Sequence, residues 1–259
     1  MPGVHSRLPL RRVRLGVLSR LSHIARATPM SHKRTYRTFT HKEAVLRICC
    51  DKFDVVTSEI VRQRRILEDY IARHPHFRTS FEPVELLCDA PEIAQRMARA
   101  ARLADVGPMA AVAGAMAQCA AEAALAAGAG EVIVDNGGDI YLRAAEPVVI
   151  ALVTGTAKLT ARLAFSLQPQ DTPISICSSS GTMGHSTSLG RCDLATVVAR
   201  DAALADAAAT QAANLVTTPD DVDRAIERIA AIEGVEGVLI VKGDRVGLAG
   251  HLPPLVKIT

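Results

Sequence analysis

With 259 residues, 49% of them hydrophobic and 22% charged, the chain is long and apolar enough to bury one large core or two small ones. Aromatic residues make up only 3% and Trp is absent, which argues against a base-stacking surface for single-stranded nucleic acid. The formal charge of +3 comes from six arginines within residues 1–29; the remainder carries 24 basic and 27 acidic side chains and has no electrostatic footprint for DNA or RNA.

Residues 1–29 contain Arg7, Arg11, Arg12, Arg14, Arg20 and Arg26 but no acid. They read either as an organelle transit peptide or as an over-extended start upstream of Met30, since apolar pieces such as "LGVL" are too short for a secretory core. In both cases the segment is expected to be disordered and to contribute nothing to the fold. Residues 30–259 are expected to form a single α+β unit, or two intertwined subdomains.

Within that unit, "AVLRICC" reads as a strand and "DVVTSEIVRQRRILEDYIARH" as an amphipathic helix with Ile60, Ile66, Leu67, Tyr70 and Ile71 on its apolar side. A Pro-interrupted connection leads to a helix beginning at Pro91 and ending near Val106-Gly107-Pro108, where a second helix starts. That second stretch, residues 106–130, has the length of a membrane span. Its apolarity is mostly alanine and it contains Gln118 and Glu122, so a buried core helix is expected and no membrane partner. "EVIVDNGGDIYL" gives a strand, a tight turn and a strand. "PVVIALVTG", "ARLAFSLQ" and "DLATVVA" read as further strands, followed by a helix over 201–214. A capped helix in "DDVDRAIERIAAI" and a hairpin turning at Gly243-Asp244 close the chain. Mixed strands and helices without a βαβ run favour α+β over a doubly wound sheet. The common dinucleotide and P-loop glycine motifs are absent. Six cysteines show no metal or disulfide spacing, so reduced thiols in a cytoplasm are expected.

Three segments could carry chemistry. On the 201–214 helix, Asp206, Thr210 and Asn214 stack at intervals of four on one face, among alanines. A solvent-facing stripe is one reading. The other is a buried carboxylate, which needs a partner such as Mg²⁺, a cation that takes carboxylate and hydroxyl oxygens. The loop "CSSSGTMGHS" offers Ser178, Ser179, Ser180 and Thr182 as hydroxyls and Gly181 and Gly184 as points of close backbone approach. It is either an anion-binding nest or a polar surface turn. His185 within it is the candidate general acid, and Cys177 lies beside it. In "DNGGD", Gly137 and Gly138 make a turn flanked by Asp135 and Asp139, which would also be unremarkable as a bare hairpin.

Taken together, "VGPMAAVAG", "VDNGGDIYL", "CSSSGTMGHS" and "LADAAATQAAN", in this order and with these gaps, resemble an uncharacterised branch of the ApbE superfamily, best known for FAD:protein FMN transferases. The similarity spans roughly residues 33–252. The resemblance implies an ApbE-like α+β fold with mixed sheets and helices around a central cleft that holds FAD or FMN and Mg²⁺. It implies Asp206 and Thr210 as side-chain metal ligands and Ala110 as the backbone carbonyl ligand. Ser179, Ser180, Gly181 and Thr182, with Gly137, Gly138 and Asp139, would bind the nucleotide. This sequence departs from the transferases in two places. Gly184-His185-Ser186 stands where they carry a His-Ile-Ile-Asp-Pro-like segment, and Ala111 replaces the lysine after the metal carbonyl.

Three functions follow as expectations. The first is an Mg²⁺-dependent enzyme acting on a flavin nucleotide or related pyrophosphate. The second is a non-catalytic flavin-binding protein, and the third a sulfur-handling protein using Cys177. A small-molecule nucleotide is the expected partner, with a homo-oligomer left open.

Overall fold

The computed structural model describes residues 34–153, 163–181 and 190–258. The expectations for residues 1–29, and for Thr182, Gly184 and His185, lie outside the described residues.

Eight strands form one antiparallel sheet: β1 (Arg37–His41), β2 (Ala44–Cys50), β3 (Val132–Asn136), β4 (Asp139–Arg143), β7 (Ile174–Ser179), β8 (Leu194–Ala199), β9 (Val235–Lys242) and β10 (Arg245–Gly250), in that spatial order. A second, three-stranded antiparallel sheet runs β11 (Leu255–Lys257), β6 (Leu163–Leu167), β5 (Val148–Ala151). The helices are α1 (Phe53–Arg73), the single turn α2 (His76–Thr79), α3 (Glu92–Ala104), α4 (Val112–Ala126), α5 (Ala202–Leu215) and α6 (Val222–Ala230). The architecture is α+β, as the residue pattern indicated.

Both faces of the central strands are covered. In β3, Val132 and Val134 pack with α1 and α4, while Ile133 faces the smaller sheet. In β8 and β9, Val197, Val238 and Ile240 join the α3–α5–α6 core, whereas Val198, Leu239 and Val241 join the other. Because neither face meets water, these strands read as continuous apolar runs rather than as alternation. The same double burial explains an element the sequence reading treated as loop. Cys177, Ser178 and Ser179 belong to strand β7, and the loop starts at Ser180. Small hydroxyl residues hide the strand signal there, and Ser178 Oγ meets Thr196 Oγ1 at 2.9 Å in place of water. The edge strand β1 and the short β11 were also not anticipated. β1 is five residues long, largely exposed and polar, and gives little periodicity to detect.

Two packing features position the site. Helix α5 is buried at every residue from Ala202 to Ala209, and its alanines let β7, β8, α3 and α4 come close. The 108–126 stretch is long and apolar enough to cross a membrane by length and composition, yet half of it is buried in the fold. There α4 packs on α1, α5 and β3. Ahead of the site, Arg34 anchors the first described residues to the body. Its guanidinium donates to both Glu131 carboxylate oxygens at 2.8 Å and to the carbonyls of Glu146 and Pro147.

Candidate functional site

The β3–β4 hairpin turns on Gly137 and Gly138, whose φ angles of 71° and 105° suit glycine. Asp135 Oδ1 accepts the Gly138 N–H at 2.9 Å and pins the turn from the face opposite the helices. Asn136 and Asp139 are paired across the hairpin and therefore share the helix-facing side. Asn136 Nδ2 donates to the Ala113 carbonyl at 3.2 Å, tying the hairpin end to the first turn of α4. Asp139 pairs in register with Cys177 of β7, so the two side chains are neighbours on the same face.

Helix α4 is entered through Gly107 and a 3₁₀ turn over Pro108–Ala111. A Cβ on Gly107 would lie 1.9 Å from the Ser80 carbonyl oxygen, so the chain can pass there only as glycine. Further along, a Cβ on Gly114 would lie 2.1 Å from the Ala202 carbonyl oxygen, which brings the backbones of α4 and α5 into direct contact. This contact seats Asp206. Its Oδ2 accepts the Gly114 N–H at 2.9 Å, the Ala113 N–H adds a second hydrogen bond, and the residue is 7% exposed. The carboxylate thus meets the positive end of α4.

The solvent-stripe reading of this helix face fails for Asp206, which is buried. Thr210 and Asn214, on the next two turns, are half-buried, as is Ala110 in the 3₁₀ turn packed against α5. The structure therefore brings Asp206, Asp139, Asn136 and the α4 entry together, with Cys177 beside them. Ser180 and Gly181 lie at the end of β7. There the Gly181 N–H donates to the Cys192 carbonyl at 2.9 Å. The space a Gly181 side chain would need is taken by the Gly190 backbone, and that of Gly190 by Ala213, so these glycines serve close packing onto the C-terminal part of α5.

The electrostatics are unusual. Burial raises the Asp139 carboxyl to about 7; the Ser178 N–H and the Cys177 thiol oppose the shift, and the Asp135 charge adds to it. Burial also raises Asp206 well above the usual carboxylate range, and the charge of Asp139 raises it further. Asp139 Oδ1 is, among the described residues, the one buried side-chain nitrogen or oxygen without a hydrogen-bond partner. Cys177 is buried, and burial followed by the two carboxylates pushes its thiol up. A neutral thiol is a poor nucleophile, which weighs against sulfur chemistry. In the native protein, alkylation at neutral pH is expected to label the exposed Cys88 and leave Cys177 unmodified. Mass mapping that found Cys177 labelled as fast as Cys88 would reverse this conclusion.

The carboxylate pair sets a pH dependence. Folded Asp139 titrates near 7 against 3.8 for an unperturbed aspartate, and Asp206 shifts in the same direction. Between these values the folded state holds more protons than the unfolded chain. The pair's contribution to stability is fully present below pH 3.8 and is lost as pH rises through about 7. The carboxylates shifted the other way, such as Glu59 and Glu131, titrate below their ordinary 4.5 and leave this upper window clear. Urea denaturation in EDTA is expected to give a more stable protein at pH 5.5 than at pH 8. The opposite order would show that the pair is not the dominant titrating unit.

A polar cavity of about 330 Å³ lies elsewhere, between α3, α4 and the start of α5. Its charges are already matched: Arg96 bridges Glu92 and Glu122, and Gln118 joins Glu122 to the Ala202 N–H. Asp201 in turn lies 3.9 Å from Arg99 and accepts the Leu204 N–H, so each acid of the cavity has a partner and the buried carboxylates are the stronger candidate site. No three His, Cys, Asp or Glu side chains form a preformed metal cage among the described residues. A cation here would rely on few carboxylates plus neutral oxygens.

Gly114 and Asn136 were not singled out from the sequence. The one available signal was Gly114 itself, a glycine inside an otherwise alanine-rich helix.

Residues 28–237 match the family model described as AbpE bacteria. A UPF0280 protein of Archaeoglobus fulgidus is 41% identical over 224 residues, covering 84% of this chain and 92% of that protein. One from Methanocaldococcus jannaschii is 41% identical over 203 residues, covering 76% and 82%. Among solved structures, the flavin transferase ApbE from Vibrio cholerae aligns with a TM-score of 0.57 and 13% identity over 84% of this chain and 97% of its own. The ApbE protein from Thermotoga maritima aligns with a TM-score of 0.56 and 13% identity, over 83% and 96%. At such identity these structures establish a shared fold.

Proposed function

Since the chain belongs to the AbpE bacteria family, with UPF0280 proteins as relatives and an ApbE-like fold, we propose that it binds a flavin nucleotide or related pyrophosphate with Mg²⁺ and acts on the pyrophosphate. The observation that carries this reading is the buried Asp206 beside Asp139, two acids with no basic side chain among the groups that shift them. Unpaired buried carboxylates are costly, and a hard divalent cation is the partner that fits their oxygens.

In this reading Asp206 and Thr210 supply side-chain oxygens and Ala110 a backbone oxygen to the cation. When bound, Mg²⁺ would neutralise phosphate charge as it develops. The Gly137-Gly138 turn, with open space beside both glycines, would let the nucleotide approach the backbone closely. Ser179, Ser180 and Thr182 would hydrogen-bond the phosphates beside Gly181, and His185 would donate a proton to the leaving oxygen. We place the protein in a reducing cytoplasm, which its six free cysteines suit, and treat residues 30–259 as one functional unit.

One observation favours a second reading, a flavin-binding protein without turnover. Asp206 already accepts the Gly114 N–H, so it also serves as an anchor of α4. Incubating the protein with FAD, with and without Mg²⁺, separates the two. Mg²⁺-dependent release of AMP and FMN supports the enzyme, saturable binding without products supports the binder, and no binding of FAD or Mg²⁺ rejects both.

A further inference from the structure

We infer that Asp139 is a second carboxylate ligand of the cation, facing Asp206 across the gap between β4 and α5. The inference rests on the cation site proposed above and extends it by one residue.

The first argument is the orphaned oxygen. Buried polar atoms are almost always satisfied, and Asp139 Oδ1 is the exception among the described residues. The groups around this carboxyl are the Ser178 N–H, the Cys177 thiol, Asp135 and Asp206. None of them is a cation, so no side chain in that set neutralises the charge. The second argument is rigidity. Asp139 ends a two-glycine turn whose other end, Asn136, is tied to the Ala113 carbonyl, and the Ala113 and Gly114 N–H groups in turn hold Asp206. One helical turn therefore fixes both carboxyl groups. The third argument is donor chemistry. Two carboxylates with a hydroxyl form a hard oxygen set suited to Mg²⁺ or Mn²⁺ with waters and phosphate completing the shell.

Mn²⁺ binding without nucleotide, read as loss of the free-ion EPR signal, tests the inference in wild type, Asp139→Asn and Asp206→Asn. Asp139→Asn is expected to weaken Mn²⁺ at least about tenfold while its circular dichroism stays that of the wild type. Wild-type affinity in Asp139→Asn, alongside loss in Asp206→Asn, overturns this inference and leaves the cation site standing. Failure of the wild type to bind Mn²⁺ overturns both. Should Asp139→Asn not fold, ENDOR of Mn²⁺ on wild-type protein carrying ¹³C-carboxyl aspartate decides the matter. Two carboxyl couplings are expected, and a single one refutes the role of Asp139.

Discussion

Asp206→Asn is expected to abolish metal-dependent nucleotide binding while leaving the protein folded. Removing one charge from a buried ionic site forfeits on the order of 3 kcal/mol, more than a hundredfold in Kd. Stability should move the other way in metal-free buffer. The asparagine carbonyl can still accept the Gly114 N–H, and its amide can donate toward the orphaned Asp139 oxygen. With the repulsion between two buried acids gone, the variant should melt no lower than the wild type at pH 8 in EDTA. Thr210→Val, which removes only a hydroxyl, should show a milder binding defect. Calorimetric titration of Mg²⁺ with FAD into wild type and both variants reads the effect. If Asp206 is solely the anchor of α4, the outcome inverts: nucleotide binding survives and the melting temperature falls.

Gly114→Ala should destabilise strongly, although helix propensity alone argues for a gain of about 1 kcal/mol. The added Cβ would lie 2.1 Å from the Ala202 oxygen, 2.7 Å from its carbonyl carbon and 2.9 Å from Asp206 Cβ. Two of these atoms are backbone, on a helix buried on all sides, and cannot swing aside. The helices must separate, which costs about 3 kcal/mol and carries Asp206 off the α4 amides. Gly130→Ala is the control, because nothing lies within 4 Å of its Cβ position. Urea denaturation of both variants checks the sign, and a stabilised Gly114→Ala would show that the helices are not in contact there.

The contrast between these two residues shows what the sequence could disclose. Asp206 was legible because an acid among alanines at helical spacing is chemically out of place. The β3–β4 turn was legible because two glycines between apolar runs permit little else. The role of Gly114 was not, since its constraint comes from Ala202 and Asp206, 88 and 92 residues away. Asp139 read either as the end of an ordinary hairpin or, by the resemblance, as a nucleotide contact; its orphaned oxygen depends on β7 and α5 closing over it. The strand β7 was misread as loop because Ser and Cys line it, and only coverage on both faces makes such residues a strand.

The spatial order of the large sheet also bears on how the protein reaches its native state. The β3–β4 and β9–β10 hairpins are local and can form early, within microseconds. Strand β4 must then recruit β7, more than thirty residues on, with the whole β5–β6 excursion looped out between them. Only that pairing sets Cys177 beside Asp139, and only the later β7–β8 pairing delivers α5 and Asp206. Such non-local closure is slow, because chain entropy is lost before contacts compensate. The two acids are therefore expected to meet only once the β4–β7 and β7–β8 pairings have closed. A chain arrested before this closure would carry native-like hairpins and no paired buried carboxylates.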